Sequence, residues 1–177
     1  MKTKFNCSLV SFLMLVLMTA SFASSNAQEQ SKKQLKEEAK LEKQKQTAVL
    51  VDSKEFVFSP ISVSPQGGRV INLTDVSYFI EFHPDFIKSY LPFFGRGYGG
   101  MGYGGGGIGM DFEGKPTVYT IKKTKKAYLL KAEVRGEHDS YFIMLSIYFE
   151  GSAYLSISSN NRSSISYHGN IKAIEKK

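Results

Sequence analysis

The chain has 177 residues, a formal net charge of +7, one cysteine and no tryptophan. A single cysteine excludes an internal disulfide framework and a multi-thiolate metal site. A mild basic excess without a clustered basic face argues against a nucleic-acid binder.

The N-terminus reads as a secretory signal peptide over residues 1–27. Lys2 and Lys4 form a positive start, and Leu9 to Ala20 is an apolar run broken only by Ser11 and Thr19. Ser25-Asn26-Ala27 supplies the small residues of a cleavage site, which places the cut after Ala27. The run is shorter than the roughly 20 residues a spanning helix needs, so the expected product is exported, soluble and periplasmic or extracellular. Cleavage leaves 150 residues, the size of one domain, and lowers the net charge to +5 because Lys2 and Lys4 depart while all 16 acids stay. Cys7 sits in the positive start, whereas a lipid anchor needs its cysteine just after the apolar run, where Ser24 and Ser25 stand. The mature chain is then free of cysteine, no cofactor is expected, and stability rests on packing by aromatics, of which the full chain has 13 Phe and 10 Tyr.

Residues 28–51 are a charged helical lead-in. Ser31 with Gln34 makes a capping-box pattern, and Glu37–Lys40 and Glu42–Lys45 are helical pairs. Leu35, Ala39 and Leu41 make only a thin apolar stripe, so this helix is solvated, with Ala48 to Val51 docking its end onto the domain.

From Glu55 the period changes to two, and residues 52–177 read as one β-domain. Phe56 and Phe58 alternate with polar neighbours; Gly67-Gly68 turns the chain before Val70 to Leu73; Val76 to Phe82 and Phe86 to Leu91 flank a His83-Pro84-Asp85 turn. Tyr128, Leu130, Ala132 and Val134 share one face. Tyr141, Ile143, Leu145, Ile147 and Phe149 come next, then Ala153, Leu155 and Ile157, then Ile165, Tyr167, Gly169 and Ile171, with turns at Glu150-Gly151 and Asn160-Asn161. Short strands without helical spacers predict a mainly β fold: an antiparallel meander of about 9–10 strands curled into a barrel-like or sandwich domain. Phe142, Met144 and Tyr148 make the strand over 141–149 apolar on both faces, which predicts a central position or a face lining a pocket.

The segment from Tyr90 to Phe112 contains a Gly-rich loop, residues 95–109. Gly95, Gly97 and Gly100 match a dinucleotide fingerprint, but no helix pattern comes after them to hold the phosphates. Gly109, Gly114 and Lys115 match most of a phosphate loop, but Pro116 stands where a hydroxyl must bind magnesium, and Asp111 and Glu113 would repel phosphate. Arg96 among Gly and Tyr resembles an RNA-binding tract, which export excludes. The loop is either a plain connection or a binding loop whose Phe, Tyr and Arg close on an apolar or anionic ligand.

His83, His138 and His168 are not spaced as local metal ligands, and Ser163 and Ser164 lack a nucleophile-elbow context. Asp111 and Glu113 stand two apart as paired carboxylates, a pattern that is more often merely solvated near turns. Candidate ligand-binding residues are Tyr90, Phe93, Phe94, Arg96, Tyr98, Asn161 and Arg162; the last two also fit a simple hairpin turn.

Three strings resemble the domain-of-unknown-function family 4251: Ile71-Asn72-Leu73-Thr74; Tyr90-Leu91-Pro92-Phe93-Phe94-Gly95-Arg96 with Tyr98; and Ser159-Asn160-Asn161-Arg162 with Ile165-Ser166-Tyr167. Members are secreted proteins of Bacteroidetes-type bacteria with a signal peptide, a Lys/Glu-rich lead-in and a β-rich domain. The resemblance spans about residues 28–175 and departs in a longer glycine run and in His168, where a small hydroxyl residue is usual. It implies fold and location and carries no activity. The leading expectation is a non-enzymatic exported β-domain that binds an apolar small molecule, a lipid fragment or an envelope partner, with peripheral membrane contact at most. Its alternatives are a protein-interaction module acting through the N-terminal helix, and an envelope hydrolase using the histidines.

Overall fold

The computed structural model describes residues 32–98, 109–136 and 139–174. The expected signal peptide, Gly100, Met101, Tyr103, Ile108 and His138 lie outside them. The chain divides into two compact units, residues 1–42 and 43–177. In the first, residues 32–42 are helical and every side chain is exposed, as expected of charge-rich sequence with a thin apolar stripe. Among the described residues, no helix is long and apolar enough to cross a membrane.

The second unit opens with the remainder of the same helix, α1 (residues 32–53), two residues beyond the predicted end. Thr47 and Val51 are buried and Ala48 and Leu50 pack on the β-core, whereas Val49 points to solvent. Lys54, with φ 59°, stops the helix in the left-handed conformation and donates its N–H to Val51 O at 3.2 Å. Ten strands come after the helix: β1 (Phe56–Pro65), β2 (Ile71–Asn72), β3 (Phe79–Phe82), β4 (Ile87–Tyr90), β5 (Phe112–Gly114), β6 (Pro116–Lys123), β7 (Ala127–Arg135), β8 (Ser140–Tyr148), β9 (Ser152–Ser159) and β10 (Ile165–Lys172). They form one antiparallel sheet in the order β5-β4-β3-β1-β10-β9-β8-β7-β6, with β2 beside the far part of β1.

The sheet is a nearly closed barrel, because its two edge strands are consecutive in sequence. Gly114 pairs with Ile87 of β4, and Pro116, two residues on, pairs with Val134 of β7. One chain segment thus passes from one edge to the other, and Phe112 stacks on Tyr141 of β8 across the seam, with ring centroids 4.0 Å apart. Closure selects between the barrel and the sandwich.

The interior is filled by side chains. Phe56, Phe58, Phe82, Leu130, Leu145 and Tyr167 are among those fully shielded from solvent. The alternation of β7 to β10 is as the sequence predicts, but the outer face of β8 is not covered: Phe142, Met144 and Tyr148 are exposed. A single closed sheet has only one interior, so an apolar strand in it is apolar on its wet face too. In β1 the phase slips. Phe56, Phe58 and Pro60 point inward, a bulge at Ile61 intervenes, and Val63 takes the next inward place. Pro60 lies in the gap between the β3 and β2 pairings, where a missing N–H is tolerated. Opposite the bulge stands Gly169, where a Cβ would come within 2.1 Å of Ser59 O and 2.8 Å of Pro60 Cα.

Gly169 is therefore fixed by contact with backbone that cannot swing aside. Gly169→Ala is expected to cost about 3 kcal/mol, the upper end for overpacking, and to lower Tm by roughly 10 °C. Differential scanning calorimetry of the two proteins measures it.

Candidate functional site

The loops between β1 and β2, β4 and β5, β7 and β8, and β9 and β10 gather at one end of the barrel. The β4–β5 segment is described at its two ends, residues 91–98 and 109–111. It leaves and rejoins the barrel through a narrow neck, where Pro92 bridges Gly109 and Met110 N–H donates to Leu91 O at 2.7 Å. Ser89 Oγ donates to Met110 O and the Tyr167 hydroxyl to Pro92 O, at 2.7 and 2.8 Å. Leu91 and Phe93 are buried, because the strand alternation of the Tyr-Leu-Pro-Phe-Phe string continues past the end of β4, and Met110 is buried on the returning side of the neck.

Beyond the neck, residues 96–98 lie along the β9–β10 turn like a short extra strand. Gly97 bridges Arg162, Tyr98 N–H donates to Asn161 O at 2.6 Å, and Ser163 N–H donates to Arg96 O at 2.9 Å. Arg96 N–H in turn donates to Ser163 Oγ at 3.0 Å. Gly95 permits this approach: a Cβ there would sit 2.4 Å from both the Phe93 ring and Ser163 Oγ. The turn is also tied to its neighbour, since Asp139 Oδ1 accepts from Ser140 N–H at 2.8 Å and Asn160 N–H at 3.2 Å.

Arg162 is the hub of this end. Its guanidinium donates to the Gly109 carbonyl and lies 5.4 Å from the centroid of the Phe93 ring. Burial raises the Asp111 carboxyl above its ordinary range, while the Leu91 N–H and the Arg162 charge pull it down. Burial likewise raises the Tyr141 and Tyr167 hydroxyls, and Arg162 again opposes the shift.

The seven candidate residues separate into four environments. Phe93 and Arg162 stack on one another and pin the loop. Phe94, Arg96 and Tyr98 line an open groove of about 640 Å³, whose opposite wall is the β1–β2 turn with Arg69 and Ile71. Asn161 holds Tyr98 through its main chain. Tyr90 stands elsewhere, on the outward face of β4, with its ring near Tyr78 and Phe79. Arg69 and Ile71 are groove residues that reading the sequence missed; the Gly67-Gly68 turn immediately before them is the signal that folds them back. His83 lies in the β3–β4 turn and His168 on the outer face of β10, so the two share no cleft. Glu113 is engaged with Lys88 at 3.1 Å and is not a free partner for Asp111. Among the described residues, no group of three or more His, Cys, Asp or Glu is placed to hold a metal.

A nearly closed antiparallel barrel, packed with aromatics and joined to an N-terminal helix, defines the architectural class. Within it, the sequence profile described as "Domain of unknown function (DUF4251)" matches residues 38–171, and the chain belongs to that family. The fold is similar to the crystal structure of a DUF4251 family protein from Bacteroides eggerthii DSM 20697, at 15% identity and a TM-score of 0.57, over 74% of this chain and 87% of that one. No curated protein matches the sequence.

Removing the hub should loosen the loop and leave the barrel standing. Arg162→Ala is expected to cost about 1–3 kcal/mol, from the cation–π contact and the charged hydrogen bond, and to speed amide exchange selectively over residues 91–98 and 109–111. Arg162→Lys should restore only part, since an ammonium lacks the planar fork. Hydrogen-exchange mass spectrometry of the three proteins decides.

Tyr167 makes stability depend on pH. An unfolded tyrosine titrates near 10, and burial keeps Tyr167 neutral well above that. The stabilisation is therefore complete below about pH 10 and declines above it, by about 1.4 kcal/mol per pH unit for each tyrosine so held. Urea midpoints between about pH 8 and 11 should show the decline. Tyr167→Phe should make it shallower, at a neutral-pH cost of about 1 kcal/mol for the orphaned Pro92 carbonyl.

Proposed function

We propose that the chain is a non-enzymatic binding domain of the bacterial cell envelope, whose loop-end groove takes an apolar molecule carrying an anionic group, such as a lipid fragment. The observation that carries this reading is the composition of the groove. Arg69 and Arg96 stand in it with Ile71, Phe94 and Tyr98, and none of its described lining residues is acidic. Phe94 and Tyr98 are 47% and 53% exposed, so their rings are available to a ligand. An apolar tail against exposed rings gains from leaving water, and an anionic head gains from two unopposed guanidinium groups. The filled interior supports the same placement, since it leaves the ligand to the outside of the barrel. The leader-like N-terminus supports an envelope location.

Calorimetric titration with dodecyl phosphate, below its micelle concentration, tests the reading. Saturable binding is expected, weakened by added salt, about tenfold weaker for dodecanol, and at least about tenfold weaker for the Arg69→Ala/Arg96→Ala double variant. Absence of saturation, or equal affinity in the double variant, overturns it.

A further inference from the structure

The outward face of β3, β4 and β5 carries a separate arrangement. Phe79 and Tyr90 are partners across the β3–β4 ladder, and Tyr78 joins them. The ring centroids of Tyr78 and Phe79 lie 5.7 and 6.3 Å from that of Tyr90, at interplanar angles of 35° and 43°. The three tilted rings make a shallow apolar cup, and Tyr90 is 46% exposed. The next outward row on the same strands is Glu81, Lys88 and Glu113, in register, with the Lys88 ammonium 3.1 Å from the Glu113 carboxylate. Asp111 lies just before β5, and a depression of about 450 Å³ runs between the aromatic and charged rows, lined by Phe79, Lys88, Tyr90, Asp111 and Glu113.

A cross-strand aromatic pair stabilises a sheet by itself, so the rings alone point to no ligand. The polar rim beside them selects one. The rim's two carboxylates outnumber its single ammonium, which disfavours an anionic headgroup or phosphate. A hydrocarbon chain would cover charged groups without offering them hydrogen bonds, at a desolvation cost. An added peptide strand pairs along a free sheet edge, whereas this depression lies over the outward face of strands that pair with one another. A pyranose satisfies both rows together. One face of its ring presents C–H groups that rest on an aromatic face, and its edge carries hydroxyls that donate to carboxylates and accept from an ammonium.

We propose that the outward face of β3–β5 binds a neutral saccharide, with the ring stacked on Tyr90 and its hydroxyls held by Asp111, Glu113 and Lys88. This face is distinct from the loop-end groove, and the proposal does not depend on the reading given to that groove.

Titration of the full chain with cello- and chito-oligosaccharides, monitored by heteronuclear NMR, is the test. Saturable shifts are expected at residues 78–81, 88–90 and 111–113 with at least one of the two series, insensitive to added salt. Tyr90→Ala should weaken binding about tenfold or more, while Tyr90→Phe, which keeps the ring, retains it. Glu113→Gln, an exposed substitution that leaves the aromatic cup in place, should also weaken it. Tyr154→Ala, on the outer face of β9, and Arg69→Ala/Arg96→Ala should leave it unchanged. No saturable shift with either series overturns the proposal, as does equal weakening by Tyr90→Ala and Tyr154→Ala.

Discussion

Between Gly114 and Pro116 the chain ceases to be one edge of the sheet and becomes the other. An open antiparallel sheet of ten strands would carry two rows of unpaired amides and carbonyls, together with an apolar face too wide for one short helix segment to cover. Joining the edges through consecutive residues brings them together at one seam and encloses the apolar face, while β5 pairs only with β4 and β6 only with β7. Pro116 suits the junction, because a residue changing partners can spare its N–H. The stacking of Phe112 on Tyr141 lies across this seam, and the burial of Phe56, Phe58, Phe82 and Tyr167 depends on the same closure.

The inward side chains of this nearly closed barrel pack against one another in its core. The binding chemistry proposed for it is accordingly peripheral: a groove with two arginines and exposed rings at the loop end, and an aromatic cup with a charged rim on the side. Arg162 serves the first indirectly. Its guanidinium meets Gly109 and Phe93, which are not groove residues, and these contacts hold the segment that presents Phe94, Arg96 and Tyr98. Positioning of this kind, by a guanidinium wedged between a backbone carbonyl and a ring, places a loop without a covalent staple in a domain whose described residues include no cysteine.

Much of the architecture was legible in the sequence, for local reasons. β7 to β10 alternate cleanly and are joined by tight turns, so their inward residues could be read directly. β1 was harder, since the bulge at Ile61 reverses which residues face inward and no local signal marks it apart from Pro60. β2 is only two residues long and is made by its partner strand, not by its own propensity. Phe142, Met144 and Tyr148 misled because apolarity marks burial only in one direction. The candidate site was legible by residue type and not by geometry. The Tyr-Leu-Pro-Phe-Phe-Gly-Arg string does hold groove residues, but strand alternation sends Tyr90 outward and Phe93 inward, and Arg69 arrives from a turn far away in sequence.

The neck at Pro92 and Gly109 also bears on how this family can change over time. Between Tyr98, which Asn161 holds, and Gly109, the entropy of closing a loop rises by only about 0.6 kcal/mol for each doubling of its length. Insertions and deletions there are nearly free of consequence for folding, which makes this the natural place for lineages to diversify, and for an engineer to graft a foreign peptide. The long glycine run of this chain falls inside that tolerant interval.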